Sequence, residues 1–225
     1  MIIDTHTHIY LNKEKTPEEI ITGLKNDGIE YIISIGIDIE SSKKSFTLAR
    51  KNPWVIFATV WVHPTDVKQY ENEVDETIEK LEEMIIKNKN VIRGVGECGF
   101  DFHWIDKNKF ETEKALQEKF FRAQIMLAKK YNFPIIIHSR DSKDEVLRVL
   151  KECEAKKFIL HCYSEDLDFA YKAIYYSEEC KISFSGIVTY KSAPNIQNTA
   201  ANIPLERILV ETDCPFLSPQ ELRGT

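Results

Sequence analysis

The chain predicts an α/β fold of the (β/α)8 TIM-type barrel class, and three observations carry that expectation. Eight short apolar runs of strand length recur along its 225 residues, helical segments separate them at intervals that suit βα units, and polar residues gather at the carboxyl ends of the runs. A doubly wound open sheet with the same rhythm is the alternative. With 43% hydrophobic and 29% charged residues, 1–225 fits a single domain large enough to bury a core.

Ile2 and Ile3 lead into Asp4-Thr5-His6-Thr7-His8, which reads as a short buried strand. Residues two apart on a strand point the same way, so His6 and His8 share a face. Thr16-Pro17-Glu18-Glu19 supplies an N-cap, a proline at the first helical position and a glutamate at the third; Ile20, Ile21 and Leu24 form the apolar face and Gly28 ends the helix. Tyr31 to Gly36 is a continuous apolar run, as expected in a parallel sheet covered on both sides, and a helix follows from about Glu40 to Lys51.

Val55 to Val62 is the third strand, closed by His63-Pro64, and Val74, Ile78, Leu81 and Ile85 stripe the helix after it. The fourth strand, Val91 to Glu97, ends in Gly-Glu-Cys-Gly-Phe-Asp, a carboxylate between glycines that allow close approach. Leu116, Phe120, Ala123 and Leu127 mark the next helix, broken by Asn132-Phe133-Pro134 before Ile135 to His138. Ser142-x-x-Glu145 offers a capping box to a helix with core residues Val146, Leu147, Val149 and Leu150. Phe158 to His161, a helix from Leu167 to Tyr176, the strand Lys181 to Ser185, a helical segment near Gln197 to Ala201 and the strand Arg207 to Thr212 complete the series.

The net charge of −6 argues against a surface coated in basic residues, yet leaves room for nucleic acid gripped by a local patch or by metals. No basic region leads an apolar core at the N-terminus and no apolar run approaches the ~20 residues that span a bilayer, so a cytoplasmic location is expected. Five cysteines without CxxC spacing point to neither a disulfide framework nor a thiolate zinc site.

His8, His63, Glu97, His138, His161 and Asp213 each fall at or just beyond the end of a different apolar strand. A barrel converges those ends on one face, where sites of this fold are built. Core histidines scatter instead. His6, His8, His138, His161, Glu97 and Asp213 mix nitrogen and oxygen donors, which suits Mg²⁺, Mn²⁺, Zn²⁺ or Fe²⁺. Six donors exceed the four of one tetrahedral ion, so two ions bridged by Glu97 is the economical reading, with Asp213 orienting a water and taking its proton. The chemistry so read is hydrolysis. Cys98, Cys162 and Cys214 each follow a proposed ligand, and strand alternation turns them outward as packing.

Asp4-Thr5-His6-Thr7-His8, His63-Pro64, Gly96-Glu97-Cys98-Gly99-Phe100-Asp101, His138-Ser139-Arg140-Asp141, His161-Cys162 and Glu211-Thr212-Asp213-Cys214-Pro215 together resemble the successive signatures of the TatD family of metal-dependent deoxyribonucleases, a branch of the amidohydrolase-like barrels. The resemblance runs from Asp4 to about Pro219. It implies a two-metal phosphodiesterase acting on DNA, often an exonuclease, with Mg²⁺ a usual activator. His6, His8, Glu97 and Asp213 would hold one metal, Glu97, His138 and His161 the second, and His63 and Arg140 would lie near the scissile phosphate. The bland alternatives are a strand-end cap for His63 and an ion pair with Glu211 for Arg140.

Asp4 and Glu211 are expected to support the ligands or Arg140 from deeper in the barrel, and Asp101 to join the signature or cap its loop. His103, Lys107 and Lys109 on that loop would touch a strand or stay solvated, with Trp104 as a stacking surface. A metal-dependent amidohydrolase or a D-aminoacyl-tRNA deacylase would use similar ligands, although many amidohydrolases bridge their metals with a modified lysine where this chain has Glu97. A non-catalytic barrel is the third reading. Family members continue past Arg223-Gly224-Thr225 through an Arg/Asn-Glu-Pro segment and a final helix. The expectation is thus a barrel lacking that helix, with Ile208 and Val210 uncovered and self-association through the seam as a consequence.

Overall fold

The computed structural model describes residues 2–224. Eight strands form one parallel sheet in sequential order: β1 (Ile2–Thr7), β2 (Ile29–Ser34), β3 (Ile56–Val60), β4 (Ile92–Asp101), β5 (Ile135–Arg140), β6 (Phe158–Leu160), β7 (Lys181–Phe184) and β8 (Ile208–Val210). Between them lie α1 (Pro17–Leu24), α2 (Ile39–Lys51), α3 (Val74–Lys87), α4 (Phe110–Tyr131), α5 (Lys143–Glu152), α6 (Leu167–Tyr176) and α7 (Pro194–Asn202). The helices bury Phe46, Leu81, Ile85, Phe121, Val149 and Phe169 against strand residues such as Ile56, Ile92, Ile137 and Ile182, which is the continuous apolar layer those runs require.

The sheet closes into the expected barrel, and the open-sheet alternative fails. Thr5 Oγ1 donates to the Val210 carbonyl at 2.9 Å, and beyond the strands His8 N donates to Cys214 O (2.7 Å) and Asp213 N to His6 O (2.9 Å). The Asp4 carboxylate adds hydrogen bonds from Thr212 N (3.0 Å) and Thr212 Oγ1 (2.7 Å). Closure is therefore tightest at the carboxyl ends of the strands.

Several local expectations change. α1 ends at Leu24, and Gly28, at φ 73°, serves the turn that follows. Ser142 precedes α5 but does not cap it; its hydroxyl donates to the Phe100 carbonyl at 3.1 Å, tying α5 to β4. Ile2 and Ile3 are exposed, so β1 is not a wholly buried strand. Among the described residues no α-helix follows β8, only a 3-10 turn at Gln220–Leu222. Val210 is 54% exposed there, while Ile208 packs partly on the core. No helix among the described residues is long and apolar enough to cross a membrane.

β4 departs from regular geometry where it matters. Its pairing with β5 steps from Val95–Ile135 to Cys98–Ile137, three residues against two, so one residue is extra. Gly96 and Gly99 stand at φ 140° and 141° with their α-carbons pressed on β5; a Cβ there would lie 2.3 Å from Ile136 O and 2.2 Å from His138 O. Only glycine fits, and the irregularity carries Glu97 into the barrel mouth.

Candidate functional site

Five histidines surround Glu97, and they divide its two oxygens between them. Glu97 Oε2 lies 3.4 Å from His6 Nε2 and 4.0 Å from His8 Nε2; Oε1 lies 2.8 Å from His138 Nδ1, 3.1 Å from His161 Nε2 and 3.6 Å from His63 Nε2. Asp213 Oδ1 completes the first set at 3.3 Å from His8 Nε2 and 3.6 Å from His6 Nε2. His6, His8, Glu97, His161 and Asp213 are all buried.

Supporting groups fix how the rings point. His8 Nδ1 lies 3.0 Å from the Ile35 carbonyl, which places its hydrogen on Nδ1 and leaves a lone pair on Nε2. That nitrogen faces His6 Nε2 at 3.1 Å. Glu211 Oε1 lies 2.8 Å from His161 Nδ1 and accepts the Cys162 amide at 2.8 Å, so the Nε2 of His161 is turned to Glu97. Asp101 Oδ2 meets His138 Nε2 at 3.0 Å while Oδ1 accepts the amides of His103 and Trp104. Asp101 thus steadies a ring and caps its loop at once.

The charges are strongly perturbed. Burial works to raise the Glu97 carboxyl, but His161, His138 and His6 outweigh it and hold it well below the usual carboxylate range. Glu211 is held low in the same way, chiefly by His161 against the penalty of burial. Burial opposes protonation of His161 and His138, yet Glu211 and Glu97 raise the first well above an ordinary imidazole, and Asp101 and Glu97 raise the second. Burial lowers His6, with His161 adding to the effect, and also lowers His63. Burial lifts Asp4 to about 6 despite its Thr212 hydrogen bonds.

Donor atoms of His6, His8 and Glu97 lie within 4.8 Å of one another, as do those of His63, Glu97 and His138. The set fits divalent cations: lone-pair nitrogens and carboxylate oxygens are aimed at one another where a shared cation would remove the repulsion. His63 is positioned by its Nδ1 contact with Thr65 Oγ1 at 2.5 Å. Arg140 lies at the exposed rim, its guanidinium 5.7 Å from the Trp104 ring, and Glu211 is engaged with His161 instead. His103 Nδ1 stands 3.6 Å from Asp141 Oδ2, and Lys107 and Lys109 sit on a 3-10 turn at Lys107–Lys109, on the same loop.

Cys98 is buried packing, as alternation predicts. Cys162 is not: β6 ends at Leu160, Cys162 adopts φ 45°, and its sulfur lies within 4.8 Å of donor atoms of His161 and Asp213. The strand rule fails where the strand has ended. Burial pushes this thiol up to about 12, so it stands protonated at the edge of the cluster. Phe216, whose ring lies 5.8 Å from that of His8, was not singled out in the sequence; its signal is its place three residues after Asp213, as Trp104 follows Asp101.

The chain is 35% identical over 227 residues to the uncharacterized metal-dependent hydrolase YabD of Bacillus subtilis, covering 100% of this chain and 84% of that protein. It is 33% identical over 224 residues to the uncharacterized metal-dependent hydrolase MG009 of Mycoplasma genitalium, covering 96% and 82%. Among solved structures, the TatD homolog YJJV of Escherichia coli K12 superposes with a TM-score of 0.86 at 26% identity, covering 100% of this chain and 83% of that one. The family model for TatD-related DNases matches residues 3–225, and with these likenesses the chain belongs to the TatD family of metal-dependent hydrolases.

Proposed function

We propose that the barrel mouth hydrolyses phosphodiester bonds of DNA with the help of two divalent cations that share Glu97. The observation that carries this reading is the division of the Glu97 oxygens, Oε2 toward His6 and His8 and Oε1 toward His138 and His161. One cation would be held by His6, His8, Glu97 and Asp213, the other by Glu97, His138 and His161. Mg²⁺ suits the oxygen-accepting chemistry of phosphate, and Zn²⁺, Mn²⁺ and Fe²⁺ suit the imidazoles. When bound, the cations would promote attack by water and neutralise charge developing on the phosphate.

The remaining steps belong to this chain's own groups. Asp213, at the end of the last strand and facing His6 and His8, orients the attacking water and accepts its proton. Glu211 and Asp101 keep the rings of His161 and His138 oriented. His63 offers Nε2 to a phosphate oxygen, and the Arg140 fork at the rim matches two more. Asp4, Glu97, Asp101, Glu211 and Asp213 crowd one face of a chain of net charge −6, so an anionic substrate approaches only once cations offset them.

Amide or ester hydrolysis, including deacylation of D-aminoacyl-tRNA, would draw on the same ligands. Arg140 and the family's DNase description favour the phosphodiester. The test is cleavage of 3′-labelled and 5′-labelled DNA oligonucleotides by metal-stripped protein before and after Mg²⁺ or Mn²⁺ is restored, with Glu97→Ala alongside. Metal-dependent ladders that vanish in the variant support the reading; intact oligonucleotides with cations bound would turn it toward an ester or amide.

A further inference from the structure

Two exposed aromatic rings stand on opposite sides of the cluster. In an eight-stranded barrel of sequential order the tips of β4 and β8 face each other across the mouth. Trp104, 69% exposed, follows β4 and is tied to the cluster because Asp101, which holds His138, accepts its amide. Phe216, 50% exposed, follows β8, its amide donating to the Asp213 carbonyl at 2.8 Å and its ring lying 5.8 Å from that of His8. Each ring comes three residues after an acidic residue of the site.

Single exposed aromatics are ordinary. What sets this pair apart is position: both flank the groups that would hold the scissile phosphate, and the Arg140 guanidinium lies 5.7 Å from the Trp104 ring centre, beside where a backbone phosphate would pass. A cleft of mixed polarity, lined by Pro64, Thr65, Lys68, Trp104, Ile105 and Glu113, opens on the His63 side beside the Trp104 ring.

We infer that Trp104 and Phe216 are base-stacking platforms, one for the nucleobase on each side of the scissile phosphate, and thereby select substrates that extend a nucleotide in both directions. The inference rests on the phosphodiesterase reading above. Stacking on an aromatic ring tolerates any base, because every base has a π-face, and needs that base splayed from its neighbour. The two rings would thus hold the backbone bent over the cluster, with Arg140 gripping the phosphate next to Trp104.

The test uses Mg²⁺-loaded protein and a fluorescein-labelled, phosphorothioate-linked thymidine oligonucleotide, compared with one of equal length carrying abasic residues, and reads binding by anisotropy. Trp104→Ala and Phe216→Ala should each weaken binding of the thymidine strand about tenfold and of the abasic strand by less than about twofold. Trp104→Phe should restore most of the loss, and Trp54→Ala, an equally exposed tryptophan at the opposite end of β3, should change neither. Equal losses on both strands, no loss, or no binding by the wild type overturns the platforms. Cleavage of an ordinary labelled oligonucleotide is scored beside it. Base-dependent binding without cleavage overturns the nuclease reading and leaves the platforms, whereas cleavage with base-independent binding does the reverse.

Discussion

The molecule holds two ionic clusters built from nearly the same chemistry, and they behave in opposite ways. On the outside of α4 and α5, Arg148 reaches Glu118 (2.5 Å), Glu145 (2.7 Å) and Glu152 (3.0 Å), Arg122 reaches Glu118 (2.7 Å) and Glu152, and Lys114 reaches Glu145 (2.5 Å). Every acid there meets a permanent cation and water. At the barrel mouth, among the described residues, the ion-pair partners of Glu97, Glu211 and Asp213 are all imidazoles, with no lysine or arginine among them. Buried carboxylates opposed by groups that lose their charge near neutral pH leave the balance to something outside the chain. The surface cluster is complete and chemically idle, whereas the mouth is incomplete and poised to bind.

The sharpest way to break this contrast is one substitution made in both clusters. Glu97→Gln should reduce metal-dependent hydrolysis at least about a thousandfold, while Glu118→Gln leaves it unchanged. Comparable losses in initial-rate assays would show that the two clusters do not differ in kind. Next in size, Glu211→Gln should weaken divalent-cation affinity by about 10- to 100-fold, read by calorimetric titration, because His161 loses the partner that turns its ring. Unaltered affinity would remove Glu211 from the support of the site.

The pH response of the cation-free protein separates the clusters further. His138 and His161 are raised from the ordinary 6.5, so their contribution is complete below that value and is lost as pH climbs through their folded values. His6 and His63 are lowered, so their effect is confined to pH near and below the ordinary 6.5, and well above it they are neutral in both states and add no slope. Glu97 and Glu211, held low, contribute until pH falls below about 4. The metal-stripped protein should therefore lose melting temperature as pH rises above about 6.5, and less steeply in Glu97→Gln. A flat wild-type profile above about pH 6.5 would mean the imidazolium charges are not held as described. The smallest effect is expected outside: Arg148→Ala should cost about 1 kcal/mol or less by denaturant titration, shrinking in high salt.

Much of the site could be read from the chain because a strand puts its last polar residue at a known end. His8, His63, Glu97, His138, His161 and Asp213 needed only an apolar run before them. Failures cluster where the chain leaves regular structure. Cys162 turns toward the site at φ 45°, and Ser142, just before α5, gives its hydroxyl to Phe100 of β4. Ile2 and Ile3 look buried by composition but are exposed at the start of β1. A period-2 rule has nothing to say about a residue past the strand end, or about what packs outside it.

By itself the sequence determined the eight strands, the helices between them and the presence of nitrogen and oxygen donors at the strand ends, since these follow from short-range periodicity and local steric rules. Tertiary structure alone decided which oxygen of Glu97 meets which imidazole, that Glu211 turns the ring of His161 from 50 positions along the chain, and that Phe216 lies against His8. Those pairings depend on the stagger and closure of the barrel and on an extra residue in β4, quantities set by all eight strands together and written in no single stretch.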